Sequence, residues 1–95
     1  TMAASVASGQ LICADATEAA IVRAHVAEHI RLTRAEPGCL SFEVIASDDP
    51  LIWQVAETFR SMPDFEAHQT RTRASDWFAA TKAIRRDFQV EEIKD

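Results

Sequence analysis

The feature that most constrains the fold of this chain is a pair of alternating stretches on either side of a short acidic turn. Residues 39–46 and 51–59 each place apolar side chains at every second position, which predicts two half-buried β-strands. Ser47-Asp48-Asp49-Pro50 lies between them and is typical of a turn. Because the link is short, the strands are expected to form an antiparallel hairpin. The predicted inward-facing residues are Leu40, Phe42 and Val44 on the first strand and Trp53, Val55, Glu57 and Phe59 on the second.

A strand and a long helix are predicted ahead of this hairpin. Residues 6–13 are mostly small or apolar, which favours a strand. Asp15 then stands three residues before Glu18, an acidic version of the capping-box spacing at a helix start. Pro37-Gly38 ends the helix, since Pro cannot continue it and Gly suits the helix end. The predicted inner face of the helix carries Ala19, Val22, Val26, Ile30 and Thr33.

Two helical stretches and a last strand are predicted after the hairpin. Ser61 and Asp64 have the spacing of an N-cap and its partner. A cluster of polar residues predicts a break at residues 70–72, and residues 87–93 predict the last strand. The second helical stretch is expected to place Trp77, Phe78, Thr81 and Ile84 on one side.

The predicted order is β-α-β-β-α-β, which is the ferredoxin-like arrangement of the α+β class, with one antiparallel sheet and helices on one face. The 95 residues fit one domain spanning 1–95. Residues 1–4 are expected to be a disordered start or a tag remnant.

Composition excludes several classes of function. The net charge of -5 argues against nucleic-acid binding, which needs a basic face. No apolar run is long enough to span a bilayer and no signal peptide is recognisable, so we expect a cytoplasmic protein without a membrane partner. Two cysteines do not make a disulfide framework. The high apolar content of 47% in so short a chain suggests a core shared with a second copy.

One motif on the long helix resembles a metal site. His25-Val26-Ala27-Glu28-His29 fits the H-x-x-E-H pattern of a zinc protease family. A catalytic zinc also needs a third protein ligand and a cleft for a polypeptide, and a chain this short has little room for that cleft. We therefore expect no metal, with His29 on the inner face of the helix and His25 at its edge.

Basic side chains are concentrated towards the end of the chain. Residues 71–86 hold five basic side chains and one acid, Asp76. This pattern is typical of a solvated helix face, and it also fits a local attraction for an anionic or phenolate-like ligand. The basic residues are Arg71, Arg73, Lys82, Arg85 and Arg86.

Three stretches resemble the antibiotic biosynthesis monooxygenase (ABM-type) domain family. Arg34-Ala35-Glu36-Pro37-Gly38-Cys39-Leu40-Ser41-Phe42-Glu43-Val44 is similar to the end of the first helix and the second strand of that family. Glu57-Thr58-Phe59-Arg60-Ser61 is similar to the end of its third strand, and Phe65-Glu66-Ala67-His68 to its second helix. The resemblance covers nearly the whole chain, and the Glu-Pro-Gly-Cys stretch is its most specific part.

The resemblance implies a homodimer whose two sheets pack into an α+β barrel, with a ligand cavity in each subunit. Characterised members of the family include monooxygenases that oxidise quinols or anthrones without a flavin or metal, haem-degrading proteins and an isomerase of a phosphorylated signalling molecule. Haem-degrading relatives carry a Trp where this chain has His68 and a His ligand where it has Phe78. The resemblance thus implies an oxidoreductase without a cofactor, acting on a small aromatic molecule.

Cofactor-free oxidation needs a base, a dry pocket and a group that holds the anion. His68 is the best candidate for the base and His29 the second, since imidazole titrates near neutral pH. The residues expected to bind substrate are Trp53, Phe42, Phe65 and Trp77 as aromatic walls and Arg73 as a partner for a phenolate. Each also has a structural interpretation: the aromatic residues as core or dimer interface, Arg73 as a solvated charge, and His68 as a brace hydrogen-bonded to Glu57 or to backbone.

Two other functions stay open. The chain has no Tyr, a residue that quinol-oxidising relatives often place in the pocket, and this favours a non-catalytic binding module or a detoxification accessory that holds a small metabolite. The basic residues of 71–86 favour an isomerase of a small phosphorylated metabolite.

Overall fold

The computed structural model describes residues 3–94. Four strands and three helices follow one another along the chain. They are β1 (Ala4–Ile12), α1 (Ala16–Arg34), β2 (Cys39–Ala46), β3 (Ile52–Phe59), α2 (Met62–Arg73), α3 (Asp76–Thr81) and β4 (Arg85–Ile93).

The four strands form one antiparallel sheet in the order β2-β3-β1-β4. Helix α1 packs on β2 and α3, and α2 packs on β1 and β3. Strand β4 pairs with β1 along its whole length. This architecture confirms the predicted ferredoxin-like α+β fold.

The helix starts follow the predicted capping chemistry. The Asp15 side chain accepts a hydrogen bond from the Glu18 backbone N–H at 3.0 Å, and the Glu18 carboxylate accepts one from the Ala14 N–H at 2.7 Å. Ser61 caps α2 in the same way through the Asp64 N–H. These reciprocal bonds satisfy backbone donors that the first helical turn leaves free.

The inner face of α1 carries the buried residues Ala19, Val22, His29 and Thr33. Val26 and Ile30 are half-buried against the same core. The prediction that His29 lies inward and His25 at the edge agrees with this, because His29 is buried and His25 is half-buried.

The prediction for the start of β2 is wrong at Leu40. A register shift between Cys39 and Ser41 places an extra residue in the strand, so the alternation of inward and outward side chains is interrupted there. Leu40 is consequently 62% exposed. Cys39 packs against the core instead, and Phe42 is buried as predicted.

The predicted break at residues 70–72 is also misplaced, because α2 continues to Arg73 and ends at Ala74. The Thr70 hydroxyl donates to the carbonyl of Glu66, four residues earlier, so this polar residue is accommodated within the helix. Helix α3 ends at Thr81, which leaves Ile84 outside it, although Ile84 is buried.

Strands β1 and β4 both begin earlier in the chain than predicted. Strand β1 begins at Ala4, which pairs with Ile93, and β4 begins at Arg85 rather than Asp87. Residue 4 is therefore part of the sheet and not of an irregular start. Thr1 and Met2 lie outside the described residues, and so does the prediction made for them.

Gly9 allows β1 and the edge strand β4 to approach closely. It pairs with Phe88, and a Cβ atom at position 9 would lie 2.2 Å from the Asp87 carbonyl oxygen and 2.8 Å from Cγ of Phe88. The ring of Phe88 thus covers the space that a side chain at position 9 would need.

Replacement of Gly9 by Ala is therefore expected to destabilise the fold. The added methyl group has to displace backbone of β4, and such overpacking costs about 1–3 kcal/mol. The measurement is the free energy of unfolding in urea. Ser8→Ala, at the exposed neighbouring position, is the matched control, and equal stability of the two variants would contradict this account.

Candidate functional site

A cavity of about 270 Å³ lies between the sheet and the helices. All four strands and all three helices contribute to its lining. Six of the seven sequence-predicted site residues are among the lining residues, namely His29, Phe42, Phe65, His68, Arg73 and Trp77. The fold thus brings together side chains that are widely separated along the chain.

Trp53 is the predicted site residue that does not line this cavity. It pairs with Leu11 on β1 and with Ala46 at the end of β2, so it lies next to the turn that joins β2 to β3. Its indole packs against the apolar core there, and its Nε1 is buried without a hydrogen-bond partner. Trp53 shares the inward face of β3 with Val55 and Glu57, but the cavity does not extend along the whole strand.

His68 lies on the inner face of α2 and is only 3% exposed. Its Nδ1 is 3.1 Å from both carboxylate oxygens of Glu36, in the loop after α1. Its Nε2 is 3.4 Å from the hydroxyl of Thr72 and 3.8 Å from Oε1 of Glu57. A carboxylate only accepts hydrogen bonds, so Glu36 favours the tautomer in which Nδ1 carries the proton. The Nε2 atom is then an acceptor, with the Thr72 hydroxyl as a distant donor.

The Glu36 carboxylate is itself held by Arg71. The Nε of Arg71 donates to Oε2 of Glu36, and the Nη2 of Arg71 donates to the Thr33 hydroxyl at 2.9 Å. Arg71, Glu36 and His68 therefore form a chain of charge-assisted hydrogen bonds between α1 and α2. Such a chain fixes both the orientation and the tautomer of the imidazole.

Two opposed effects act on the pKa of His68. Burial lowers the pKa, because the imidazolium loses its hydration, and the hydrogen bond to Glu36 raises it again. The net shift is downward. His68 is therefore neutral and able to accept a proton at neutral pH.

Glu57 places a second titratable group on the cavity wall. It belongs to the inward face of β3, is 6% exposed, and lines the cavity. No hydrogen bond to its carboxyl group is found within residues 3–94. Burial, followed by the charge of Glu36, raises its pKa to about 7. Glu57 is consequently a carboxylic acid for much of the time at neutral pH.

His29 is stacked between aromatic rings. Its ring is parallel to that of Trp77, with centroids 4.7 Å apart, and meets Phe42 edge-on at 5.2 Å. Burial, followed by the positive charge of Arg71, lowers its pKa to about 3. An imidazole that is so difficult to protonate is a weak base, which favours a role as a neutral wall of the cavity over the predicted role as second base.

The basic residues of 71–86 do not converge into one anion site. Arg71 binds Glu36. Arg86 donates to the carbonyl oxygens of Thr81 and Ile84 at 2.8 and 3.0 Å, so it braces the turn before β4. Arg73 lines the cavity, and its contact with the Thr70 hydroxyl is long, at 3.4 Å.

The H-x-x-E-H pattern does not assemble a metal site in the described part of the chain. His25 contacts the carbonyl oxygen of Ile21 through Nδ1 at 2.9 Å. Glu28 is exposed and binds Arg31. Within residues 3–94, no group of three His, Cys, Asp or Glu side chains is placed to hold a metal ion.

Sequence reasoning missed Glu36 and named Glu57 only as a possible hydrogen-bond partner of His68, whereas the partner is Glu36 and Glu57 lies 3.8 Å away. The signal for Glu57 was present, because a carboxylate between Val55 and Phe59 on the inward face of a strand is unexpected. The pairing of Glu36 with His68 spans 32 positions, and nothing in the local pattern indicates it. The β4 residues Phe88 and Val90, which also line the cavity, became recognisable only with the strand register.

Fold and site together define a small α+β domain that encloses an aromatic cavity with an imidazole and a buried carboxyl group. The sequence model of the antibiotic biosynthesis monooxygenase family matches residues 10–80 of this chain. The chain belongs to that family, as the resemblance in its sequence indicated. A search of curated proteins found no match.

Solved structures with the same fold come from several organisms. A Nitrosomonas europaea protein that is named provisionally as an antibiotic biosynthesis monooxygenase has a TM-score of 0.82 at 17% identity, covering 97% of this chain and 91% of its own. A protein from Deinococcus radiodurans with the same provisional name has a TM-score of 0.78 at 21% identity, covering 96% and 93%. A conserved protein from Methanosarcina mazei has a TM-score of 0.78 at 16% identity, covering 98% and 95%. At these identities the likeness establishes the fold alone.

Among the helices of residues 3–94, none has the length and apolar character needed to cross a membrane.

The raised pKa of Glu57 leads to a prediction for how the free energy of unfolding depends on pH. The folded protein holds this proton up to about pH 7, whereas the unfolded chain releases it near pH 4.5, so ionisation of Glu57 weakens the folded state as the pH rises between these values. Glu57→Gln removes this penalty. The unfolding free energy of the variant, relative to the native protein, should increase by up to about 3 kcal/mol from pH 4.5 to 7.

Denaturant unfolding at a series of pH values measures this difference, and Glu43→Gln, on the exposed face of β2, is the matched control. A constant difference between Glu57→Gln and the native protein across this range would show that the carboxyl group is not perturbed in the folded state.

The contact between Glu36 and His68 leads to a separate prediction. Glu36→Gln removes the charge that raises the pKa of His68 and that pairs with Arg71, so the pKa of His68 should fall further. The unfolding free energy should fall by about 1–3 kcal/mol, as expected when a buried charged partner is lost. Nitrogen NMR of the imidazole reports both pKa and tautomer. An unchanged titration of His68 would argue against the Glu36 contact, and Glu66→Gln, on the outer side of α2, serves as the control.

Proposed function

We propose that this protein is a cofactor-independent monooxygenase that oxidises a small quinol or polyphenol with O2, with His68 as the general base. The observation that carries this proposal is the orientation of His68. Its Nδ1 is bound by Glu36, and its Nε2, whose contact with the Thr72 hydroxyl is long at 3.4 Å, lies beside a cavity with aromatic walls. A neutral, oriented imidazole at the edge of a cavity with aromatic walls suits the removal of a proton from a phenol.

The chemistry has simple requirements that the cavity meets. A phenol becomes electron-rich enough to reduce O2 directly only after deprotonation, so the protein has to supply a base and exclude water. His68, which is buried, provides the base. Phe42, Phe65 and Trp77 provide apolar walls that limit hydration.

The lining also agrees with a flat aromatic ligand. The cavity volume of about 270 Å³ is near the lower end of the usual range for small-molecule sites. Trp77 and Phe42 present ring faces and edges for stacking. Arg73 and Arg86 are the basic residues that line the cavity, and Arg73 has the weaker internal contacts of the two. We therefore assign to Arg73 the predicted contact with the phenolate.

The proposal includes a homodimer. The sheet face opposite the helices has nothing packed on it within residues 3–94, and it carries the exposed side chains Ile45 and Ile93. Exposed apolar side chains on an uncovered sheet favour association with a second copy.

A binding module without turnover is the second candidate. The absence of Tyr from the whole chain favours it, since a redox-active phenol in the pocket is then missing. The isomerase of a phosphorylated metabolite has less support. Arg71 and Arg86 are engaged by internal partners, and two carboxyl groups, Glu36 and Glu57, adjoin the imidazole where a phosphate would bring further negative charge.

The test is O2 uptake with a panel of quinols and anthrones under metal-free conditions. The native protein should accelerate uptake, and His68→Gln should lower the rate by at least about 100-fold, the usual contribution of a general base. Gln keeps a polar side chain at this position but does not accept a proton near neutral pH.

His25→Gln is the matched control, because it replaces the same residue type at the edge of α1, where the imidazole contacts the Ile21 carbonyl. Its rate should equal that of the native protein. If no substrate of the panel produces protein-dependent uptake, the oxygenase proposal is rejected and the binding module takes its place.

A further inference from the structure

The Glu57 side chain is 6% exposed, and its carboxyl group faces the cavity. It projects from the inward face of β3, and no hydrogen bond to the carboxyl group is found within residues 3–94. Polar groups that are withdrawn from bulk water are nearly always hydrogen-bonded. Because the carboxyl group of Glu57 faces the cavity, a ligand atom in the cavity is placed to form this hydrogen bond.

The position of Glu57 relative to His68 indicates which ligand atom this is. Oε1 of Glu57 and Nε2 of His68 are 3.8 Å apart, which is too far for a direct hydrogen bond. An oxygen atom placed about 2.8 Å from each of them, the usual hydrogen-bond length, fits between them at an angle of roughly 85°. One ligand oxygen can therefore contact both side chains at once.

Burial, followed by the negative charge of Glu36, raises the pKa of Glu57 and favours its neutral form, although two arginines share the cavity wall. Glu36, after α1, is the nearest other carboxylate and disfavours ionisation of Glu57. On α2, Arg71 is bound to Glu36 and Arg73 faces the cavity; α1 contributes the neutral His29 and β4 contributes Arg86. The neighbouring lining residues of β1 and β2 are uncharged. Glu57 is thus able to donate, while the Nε2 of His68 accepts.

We propose that Glu57 is a catalytic residue that, as a neutral carboxylic acid, donates a hydrogen bond to the same substrate oxygen whose proton His68 accepts. This inference rests on the oxygenase function proposed above. In the step concerned, the O–H bond of the substrate breaks, an N–H bond forms at Nε2 of His68, and the electron pair stays on the phenolate oxygen. The proton of Glu57 remains on Glu57 and stabilises the new negative charge, as a donor in an oxyanion hole does.

The pair also restricts the ligand class. The oxygen between Glu57 and His68 has to accept one hydrogen bond and donate another, which a neutral aromatic hydroxyl group does. A carboxylate or phosphate at the same place offers no proton to His68. The site therefore selects uncharged hydroxyaromatic compounds that become anionic only after they are bound.

The closing experiment measures binding and does not require turnover. The probe is 1-tetralone, an aromatic ketone whose oxygen only accepts hydrogen bonds, and tetralin is the matched hydrocarbon without that oxygen. At pH 6 the native protein should bind 1-tetralone about 5- to 10-fold more tightly than tetralin, the effect of one hydrogen bond. This preference should disappear as the pH is raised to 8, because ionised Glu57 no longer donates.

Two variants separate donation from other roles of Glu57. Glu57→Gln retains a donor that does not titrate, so its preference for 1-tetralone should be independent of pH between 6 and 8. Glu57→Met has a similar length without a donor and should show no preference at either pH. Circular dichroism checks that both variants are folded.

The inference is overturned if the native protein does not bind 1-tetralone, if its preference increases with pH, or if Glu57→Met keeps the preference. Failure of this inference can be distinguished from failure of the oxygenase proposal, because the binding measurement does not require O2 uptake. The expected binding pattern without O2 uptake would reject oxidation but keep Glu57 as a ligand donor. Uptake that depends on His68 with equal 1-tetralone preferences in all three proteins would reject only the role of Glu57.

Discussion

The Glu36 carboxylate connects the parts of the molecule on which the site depends. It lies just after α1, binds Arg71 and His68 on α2, and Arg71 in turn reaches Thr33 within α1. Two helices that pack on different strands of the sheet are thereby fixed relative to one another at the point where the cavity closes. Because these hydrogen bonds involve charged groups and are partly shielded from water, they are stronger than the same contacts on a surface.

Low polarity inside the cavity explains the protonation states of its titratable groups. The same desolvation lowers the pKa of His29 and His68 and raises that of Glu57, since burial disfavours whichever form is charged. The result is a cavity in which the imidazoles are neutral and a carboxyl group retains its proton. A base and an acid are thus available together at neutral pH, whereas a carboxyl group in water would be ionised.

The uneven cover of the sheet determines where the cavity opens. Helices α1 and α2 pack on β2, β3 and β1, whereas β4 pairs with β1 at the edge of the sheet and is bonded to the end of α3 through Arg86. Phe88 and Val90 of β4 therefore line the cavity yet remain exposed. Gly9 makes this arrangement sterically feasible, because it leaves room for the ring of Phe88 beside β1. Access to the cavity is consequently linked to the close pairing of β1 with β4.

Local sequence patterns determined the fold class and most of the cavity wall. Alternation defined β2 and β3, capping residues defined the helix starts, and helical spacing placed His29 and Thr33 inward. His68 and Phe65 were identified by resemblance to the family rather than by spacing. These features depend on neighbours within a turn or a strand, so they can be recognised from the sequence.

Only the tertiary structure decided how the titratable groups meet. The bulge that turns Leu40 outward, the distance of Trp53 from the cavity, and the contacts of His68 with Glu36 and Glu57 all depend on strand register and helix packing. Such contacts join residues that are far apart in sequence, and each pKa depends on the burial that results from the whole fold. The sequence by itself therefore determined which chemical groups the cavity could contain, and the packing of α1 and α2 against the sheet determined which of them face one another.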